Sequence, residues 1–495
     1  MSKLILNQNG VRRKIDFSSP TPLSTVLDML PHPCGGKGFC GKCRVRIMGK
    51  ISAPTAAERT MLSREQLRDG VRLACQVTLN GDAQVTVADT AAPAKATSSD
   101  VPRKKPLGEK YGLSIDLGTT TICAAVFDLQ TGKRCTEGSA ANPQARYGAD
   151  VLSRVESAIQ GNGNELSRCI RHALFDLCAQ VMMTAKLAPG DVDAAVLVGN
   201  TAMLYLLFGL DPTGISTSPF QCDTLFGDFY PADFLPVRRG TKVFVPRCIS
   251  AFLGADAAAA ALACGLHRPG DRMVADLGTN GEILLRSGNE LLGCSCAAGP
   301  AFEGVGLSCG SPAVDGAVRS VLLSGGRTVY ETVNGTSPTG ICGSGYTDWF
   351  ACLRKTGELK KDGTLCADRV YLGDTPLYLS QKDVRAFQLA KSAVRTGMEY
   401  LLRSSLDAAP GSLDIAGSFG SALSMRSAVA IGLIPPQLTP VARAVGNAAA
   451  TGAAMVLLDD SLTQTAYDLA SSTKTIPLAD QPDFSDRLCD NLTLE

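Results

Sequence analysis

The chain has no surplus of either charge: 48 Lys and Arg stand against 47 Asp and Glu, for a formal net charge of +1. Nothing therefore builds the basic field that nucleic acid or an anionic membrane surface would need, and neither is expected as a partner. Histidine is nearly absent. His32, His172 and His267 stand isolated from one another, so no His-based metal site and no Ser-His-Asp triad can be assembled from them. Long apolar runs are missing as well. The most apolar stretch, Ala194 to Leu210, is interrupted by Gly199, Asn200 and Thr201 and is too short to span a bilayer. The opening residues, MSKLILNQNG, turn polar before a signal-like core can form, which points to a cytoplasmic protein.

With 495 residues, 45% of them hydrophobic, the chain can bury more than one core, and about three domains are expected on size grounds. Its 18 cysteines are scattered through apolar contexts and read mostly as reduced, small core residues. Cys294, Cys296 and Cys309 are a candidate second thiol cluster, with burial in the core as the plainer reading.

Thr90 to Lys110, TAAPAKATSSDVPRKKPLGEK, is a linker by composition. A flexible chain of about 20 residues separates its ends by roughly 25 Å. The expected division is a domain over residues 1–90, a flexible linker over 91–110, and two lobes over 111–265 and 266–495. Before the linker, short strand signals at Lys3–Leu6, Val11–Ile15, Arg44–Ile47, Val71–Val77 and Gln84–Val87 surround a helix at Leu23–Leu30, which suits a small β-grasp fold. After it, strands alternate with helices as in an α/β protein. The longest helix is expected from Gln381 to Arg403, behind a capping box of Ser380 and Asp383.

Cys34, Cys40 and Cys43 share one loop with four glycines, and Cys75 arrives 32 residues later. Three thiols on one loop do not fit a zinc knuckle, which pairs two Cys-x2-Cys hairpins. The glycines let the backbone wrap an inorganic core and aim N–H groups at sulfur, with Lys37 and Lys42 offsetting its negative charge. These four cysteines are the expected ligands of a 2Fe-2S cluster. The first gap holds five residues, where the plant-type pattern has four; this resembles the adrenodoxin-like spacing and that of the ferredoxin domains of corrinoid activators.

SIDLGTTT (Ser114–Thr121) and VADLGTNG (Val274–Gly281) repeat one device: an apolar strand that ends in Asp-Leu-Gly-Thr. The glycine allows a tight turn that presents N–H and hydroxyl groups to phosphate, while Asp116 and Asp276 face a hydrated Mg2+. A second pair, LVGNTAM (Leu197–Met203) and AVGNAAA (Ala444–Ala450), shares a Gly-Asn turn, and two related halves are implied. DIAGSFGSAL (Asp414–Leu423) reads as a strand, a glycine turn and a helix.

The order of these elements over Tyr111 to about Leu458 resembles the actin and sugar-kinase superfamily, with its ribonuclease H-like lobes closing around ATP. The resemblance implies that Gly118, Thr119 and Thr120 hold one end of the triphosphate and Gly278, Thr279 and Asn280 the other. Glu282 would orient water or Mg2+. Gly417 and Gly420 would contact adenosine, Gly446 in the second Gly-Asn turn is a further nucleotide-binding residue, and Lys391 and Gln388 are weaker candidates, with a solvated helix face as their alternative. The glycine-rich stretches Gly299–Gly310 and Gly340–Gly345 are either plain turns or a partner surface.

Joined to the cysteine module, this ATPase resembles the reductive activators of corrinoid proteins. YGADVLSRV, VGNTAM, FLGADAAAA, DLGTNGEI, AAGPAFEG, GICGSG and DVRAFQLAKSA all look like that family. The chain departs from it in having only a linker between ferredoxin and ATPase, and only Cys489 near its end. The resemblance implies ATP-dependent one-electron reduction of Co(II) to Co(I) on a corrinoid protein of a methyltransferase system. An upstream ferredoxin or flavoprotein would donate the electron, and a homodimer stays open. A plant-type cluster sits near about −400 mV, and each further ~100 mV uphill costs about 2.3 kcal/mol per electron. ATP would then drive geometry and carry no electron. Two alternatives stand beside this: a small-molecule kinase with a redox-sensing module, and an electron carrier whose nucleotide site is structural.

Overall fold

The computed structural model describes residues 2–8, 11–27, 36, 38, 43–62, 64–87, 101–324, 326–404 and 410–495. Cys34, Cys40, His32, Lys37, Lys42 and residues 91–100 of the expected linker lie outside the described residues. The chain divides into two compact units, Met1–Ala91 with Asn142–Ile170, and Ala92–Ala141 with Arg171–Glu495.

The first unit contains β1 (Ser2–Gln8), β2 (Val11–Phe17), β3 (Thr21–Pro22), α1 (Leu23–Val26), β4 (Arg44–Ile51), α2 (Ala56–Met61), α3 (Arg64–Arg68), β5 (Val71–Leu73) and β6 (Thr78–Thr86). The sheet runs β2-β1-β6-β4-β5, with β3 also on β6, and β1 and β6 are parallel. Burial alternates along β6, as the period-2 pleat requires of a sheet with one dry face, and Leu4, Leu6, Val45, Ile47, Leu79 and Val85 fill that face. This is the expected β-grasp. The strand expected to reach Val77 ends at Leu73 and a 3-10 turn, Ala74–Gln76, follows. There Ala74 N donates to Cys43 O at 2.8 Å and Gln76 Nε2 to Gly36 O at 2.7 Å, so bonds to the cysteine loop replace the strand ladder. Buried Glu58 on α2 takes two 2.8 Å hydrogen bonds from Arg72 on β5. Burial works against its charge, but Arg72 and the backbone of Thr55 and Leu73 hold the carboxyl below its usual range. Within Asn142–Ile170, Asp150 and Ser153 form a capping box that opens α4 (Val151–Ser157), and buried Arg154 donates to Gly148 O at 2.9 Å.

The second unit begins with β7 (Tyr111–Leu117), β8 (Thr121–Asp128) and β9 (Arg134–Ala141). It resumes within α5 (Gly163–Thr184) and adds β10 (Val192–Gly199), α6 (Thr201–Phe208), α7 (Thr213–Ser216), β11 (Asp228–Pro231), β12 (Lys242–Val245) and α8 (Ala255–Ala263). Then come β13 (Arg272–Leu277), β14 (Gly281–Ser287), β15 (Glu290–Cys296), β16 (Ala317–Ser324), β17 (Arg327–Thr332), β18 (Gly340–Ile341), α9 (Gly343–Thr356), β19 (Arg369–Tyr371), β20 (Tyr378–Ser380) and α10 (Gln381–Ser404). It ends with β21 (Leu413–Ala416), α11 (Gly417–Ala422), α12 (Met425–Ala430), β22 (Ala442–Gly446), α13 (Ala448–Leu458), α14 (Leu462–Ser472), β23 (Thr473–Thr475) and α15 (Phe484–Asp490).

Two sheets carry this unit, in the orders β11-β12-β10-β7-β8-β9 and β22-β21-β13-β14-β15-β23. Each is a three-stranded antiparallel meander whose first strand, β7 or β13, also takes two successive parallel neighbours on its other side. The duplication expected from the two Asp-Leu-Gly-Thr segments is thus real at the level of topology. The two Gly-Asn turns are not its second copy. LVGNTAM leaves β10, which pairs with β7, whereas AVGNAAA leaves β22, one strand further out than β21, the equivalent partner of β13.

Two helices cross between the sheets. α8 follows a strand of the first sheet, yet Ala257, Ala258, Ala260 and Ala261 pack with Val274 and Leu284 of the second. α13 follows a strand of the second and lies on β7 and β10, where Ser114 Oγ donates to Ala450 O at 3.3 Å. Where α8 and α13 meet, a Cβ on Gly452 would stand 2.0 Å from Ala259 O, so the helices touch backbone to backbone.

Residues 101–110, expected to be flexible, are fastened to this unit. Lys104 N and Leu107 N donate to Leu458 O and Leu457 O, each at 3.0 Å, and Lys104 and Lys105 pair with Asp459 and Asp460 at 3.3 and 2.8 Å. The last turn of α13 leaves carbonyls without helical donors, and this polar segment satisfies them.

Candidate functional site

Both Asp-Leu-Gly-Thr turns open into one cavity of about 270 Å³. Asp116, Gly118, Thr119 and Thr120 line it from the first sheet; Asp276, Gly278, Thr279, Asn280 and Glu282 line it from the second. The turns face each other closely, with Thr120 Oγ1 and Thr279 Oγ1 3.4 Å apart. Gly278 N donates to Asn280 O at 3.0 Å and closes the second turn.

The Gly-Asn turns both serve the first of these loops. Asn200 Oδ1 accepts from Met203 N at 3.0 Å and caps α6, while its Nδ2 donates to Thr119 Oγ1 at 3.0 Å. Asn447 Oδ1 accepts from Ala450 N at 2.8 Å and caps α13, while its Nδ2 donates to Asp116 Oδ2 at 2.8 Å. An amide can do both jobs because its oxygen only accepts and its nitrogen only donates.

Asp256, at the start of α8, completes a group of four acids with Asp116, Asp276 and Glu282. Burial pushes Asp116 up to about 6, against the pull of the Asn447 hydrogen bond. Burial and then the charge of Asp116 raise Asp276 to about 7 and Asp256 to about 8, and Glu282 is driven up by burial and the other three carboxyls. Four hard oxygen donors that disfavour one another's ionisation suit a hydrated Mg2+, whose charge would relieve all four. Among the described residues no group of three or more acidic, Cys or His side chains is placed to ligate a metal ion directly, so the cluster fits only an ion that keeps its own waters.

Glycine-rich Gly299–Gly310 and Gly340–Gly345 are cavity wall. Phe302 and Glu303 line it, as do Cys342, Gly343 and Ser344 at the first turn of α9, whose N-terminal N–H groups favour an anion. Gly343 is required there, since a Cβ would fall 1.8 Å from Phe302 O. Gly417, expected to contact adenosine, lines the cavity with φ at +90°, and a Cβ there would meet Asp276 Oδ1 at 2.6 Å. Gly420 and Gly446 lie behind the wall. The first lets α11 close on Ile415, and the second, at φ +74°, turns the chain into Asn447.

Lys391 and Gln388 do not reach the cavity, and neither lies on a solvated face. Both are buried in α10. Lys391 Nζ donates to Thr493 O at 2.6 Å and Gln388 Nε2 to Leu492 O at 2.6 Å, so they clasp the end of the chain. Burial lowers the Lys391 amine to about 7. Cys294 and Cys296 are buried against Gly397, as core residues.

Sequence reasoning missed Asp256, Asn200, Asn447 and Glu303 as functional side chains. FLGADAAAA carried a signal, an aspartate where an alanine-rich helix begins, and an Asn after Gly before a small-residue helix is the pattern of an N-cap.

In the first unit Cys43 is buried and Cys75 half-buried. Gln76 Nε2 ties Gly36 O to this turn and lies 3.7 Å from Cys75 Sγ. Gly36 and Gly38 take φ of +78° and +77°, and a Cβ on Gly36 would come within 4.0 Å of Cys75 Cβ. Cys75, held beside left-handed Gly36, and Cys43, whose carbonyl accepts from Ala74 N at 2.8 Å, fit the ligands of a 2Fe-2S cluster.

Three family models match the chain: the 2Fe-2S iron-sulfur cluster binding domain over residues 6–80, the RACo middle region over 111–269, and the C-terminal, ASKHA domain of RACo over 271–495. The corrinoid activation enzyme RamQ of Eubacterium limosum is 32% identical over 420 residues, covering 77% of this chain and 69% of that protein. A reductase of Methanosarcina barkeri, named for a Co(II) methylated amine-specific corrinoid protein, is 24% identical over 326 residues, 58% of each chain. Among solved structures, a reductive activator for a corrinoid, iron-sulfur protein superposes with a TM-score of 0.72 at 24% identity, covering 100% of this chain and 98% of that one.

Proposed function

The chain belongs to the family of corrinoid activation enzymes, and from that premise we propose that it uses ATP to drive one-electron reduction of a protein-bound corrinoid from Co(II) to Co(I). The observation that carries the reading is the meeting of two phosphate turns, Thr120 against Thr279 at 3.4 Å, in a chain whose Ala74–Gln76 turn also bonds to the backbone of Cys43 and of Gly36.

Cys34, Cys40, Cys43 and Cys75 would hold the 2Fe-2S group, which supplies single electrons when bound. Gly118, Thr119, Thr120, Gly278, Thr279 and Asn280 present donors to the triphosphate, and the first turn of α9 adds its N–H groups. Asp116, Asp256, Asp276 and Glu282 would face Mg2+, which would offset their negative charge and that of the triphosphate. Because the turns sit on different sheets, a ligand that bound both would couple the sheets, and its binding energy would be available to favour one arrangement over another. Coupling to the corrinoid protein follows if that partner prefers the closed arrangement. A ferredoxin or flavoprotein upstream is the fitting reductant.

The test uses the full-length, iron-loaded, reduced protein with a cobalamin protein recovered from the same host. Visible spectra are expected to show Co(I) formation that depends on ATP and is lost in Asp116→Ala and Asp276→Ala. Equal rates with and without ATP would instead mark an electron carrier whose nucleotide site is structural.

A further inference from the structure

Glu303 closes the short 3-10 turn Pro300–Glu303, and its side chain ends between the two phosphate turns. One carboxylate oxygen, Oε2, accepts from Thr120 Oγ1 at 2.7 Å and from Thr279 Oγ1 at 3.2 Å. The two threonines are 159 residues apart in sequence and belong to different sheets. A single anionic oxygen thus takes a hydroxyl from each turn, in the arrangement those turns would offer a phosphoryl oxygen.

We propose that Glu303 is an internal stand-in for phosphate. It bridges the two turns, and it must leave before the triphosphate can be gripped. This rests on the nucleotide reading above. The argument is one of proton count: each threonine hydroxyl has a single proton to donate. While Thr120 and Thr279 give theirs to Glu303, neither can serve a phosphate. Charge acts in the same direction, since a carboxylate in the seat repels the group that would replace it.

The surroundings decide how it leaves. The backbone before Glu303 is clamped: a Cβ on Gly343 would fall 1.8 Å from Phe302 O. The Phe302 ring stacks on Phe419 at 4.6 Å and meets Phe387 edge-on at 5.3 Å. Just after it, Gly304 takes φ +72° and lies so close to Ser311 that a Cβ would meet Ser311 O at 2.4 Å. With the chain fixed on both sides, exchange proceeds by rotation of the Glu303 side chain and needs no loop opening. The enzyme is therefore held in a bridged state that discriminates against weakly bound phosphate ligands, and a triphosphate must outcompete the carboxylate.

The experiment measures binding of Mg2+ with a non-hydrolysable ATP analogue, and of adenosine alone, to the full-length wild type, Glu303→Gln and Glu303→Ala by titration calorimetry. Circular dichroism and thermal melting verify the fold of each. Both variants are expected to bind the ATP analogue at least about tenfold more tightly than wild type, or about 1.4 kcal/mol, with adenosine affinity unchanged. Equal or weaker binding of the analogue by both folded variants, with wild type binding it, would overturn the stand-in and leave the nucleotide reading intact. No binding of the analogue by any of the three proteins would overturn both.

Discussion

Asn447 donates to Asp116 across 331 residues of sequence, at 2.8 Å, while the other end of the same amide caps α13. One side chain therefore sets both the start of a helix and the ionisation of a cavity carboxyl. Asn447→Ala removes both bonds and should cost about 1 kcal/mol for the cap alone. Asn447→Asp keeps the cap and puts a negative charge against Asp116. We expect both variants to move the acid-side rise of ATPase activity to higher pH, because Asp116 loses the bond that favours its charged form. Both variants should lower the melting temperature, the alanine variant at every pH and the aspartate variant where its added carboxyl and Asp116 would both ionise. Activity profiles over pH, paired with calorimetric melting, separate the two effects.

The acid cluster makes stability depend on pH in a defined direction. Asp116, Asp276 and Asp256 are raised to about 6, 7 and 8, so the folded chain holds these protons more tightly than the unfolded one. Without a divalent cation, stability should fall as pH rises from about 4 to about 8. Mg2+ displaces the protons, so its stabilising effect should grow over the same window. Thermal melts with and without Mg2+ across that range check both slopes; a Mg2+ effect that shrinks with rising pH would contradict the assignment.

Lys391 gives the opposite slope. Its amine is lowered from 10.5 to about 7 by burial, so between those values the unfolded chain binds the extra proton and stability rises with pH. Lys391→Met keeps the packed stem and should abolish this rise. It also removes the hydrogen bond to Thr493 O, so faster proteolytic trimming of the chain end is expected, readable by mass spectrometry.

The sequence made the strands, the turns and the repeat visible because each is a local pattern: an alternating strand, a Gly-Thr turn, a capping box at Ser380. The 24-residue helix α10 falls where its periodicity and cap place it. What stayed hidden depended on which element lands on which. Asn200 and Asn447 look like two copies of one motif, yet they occupy inequivalent strands and meet on the same turn. Lys391 reads as a solvated charge until the chain end covers it. Asp256 lies in an alanine-rich helix and acquires meaning only when α8 brings it to the other carboxyls. The Lys-rich half of the expected linker looked mobile because composition does not reveal that α13 ends with open carbonyls beside it.

The backbone contact between Gly452 and Ala259 places a fulcrum between two blades. α8 carries Asp256 at its tip, and α13 carries Asn447, with Asp116 in its grip. Because main chain meets main chain at the crossing, a Cβ on Gly452 could enter only by moving one blade off the other. Bulk added at this one hidden position would shift both tips, so the spacing of the cavity acids is set by the thickness of a crossing that lies outside the cavity lining.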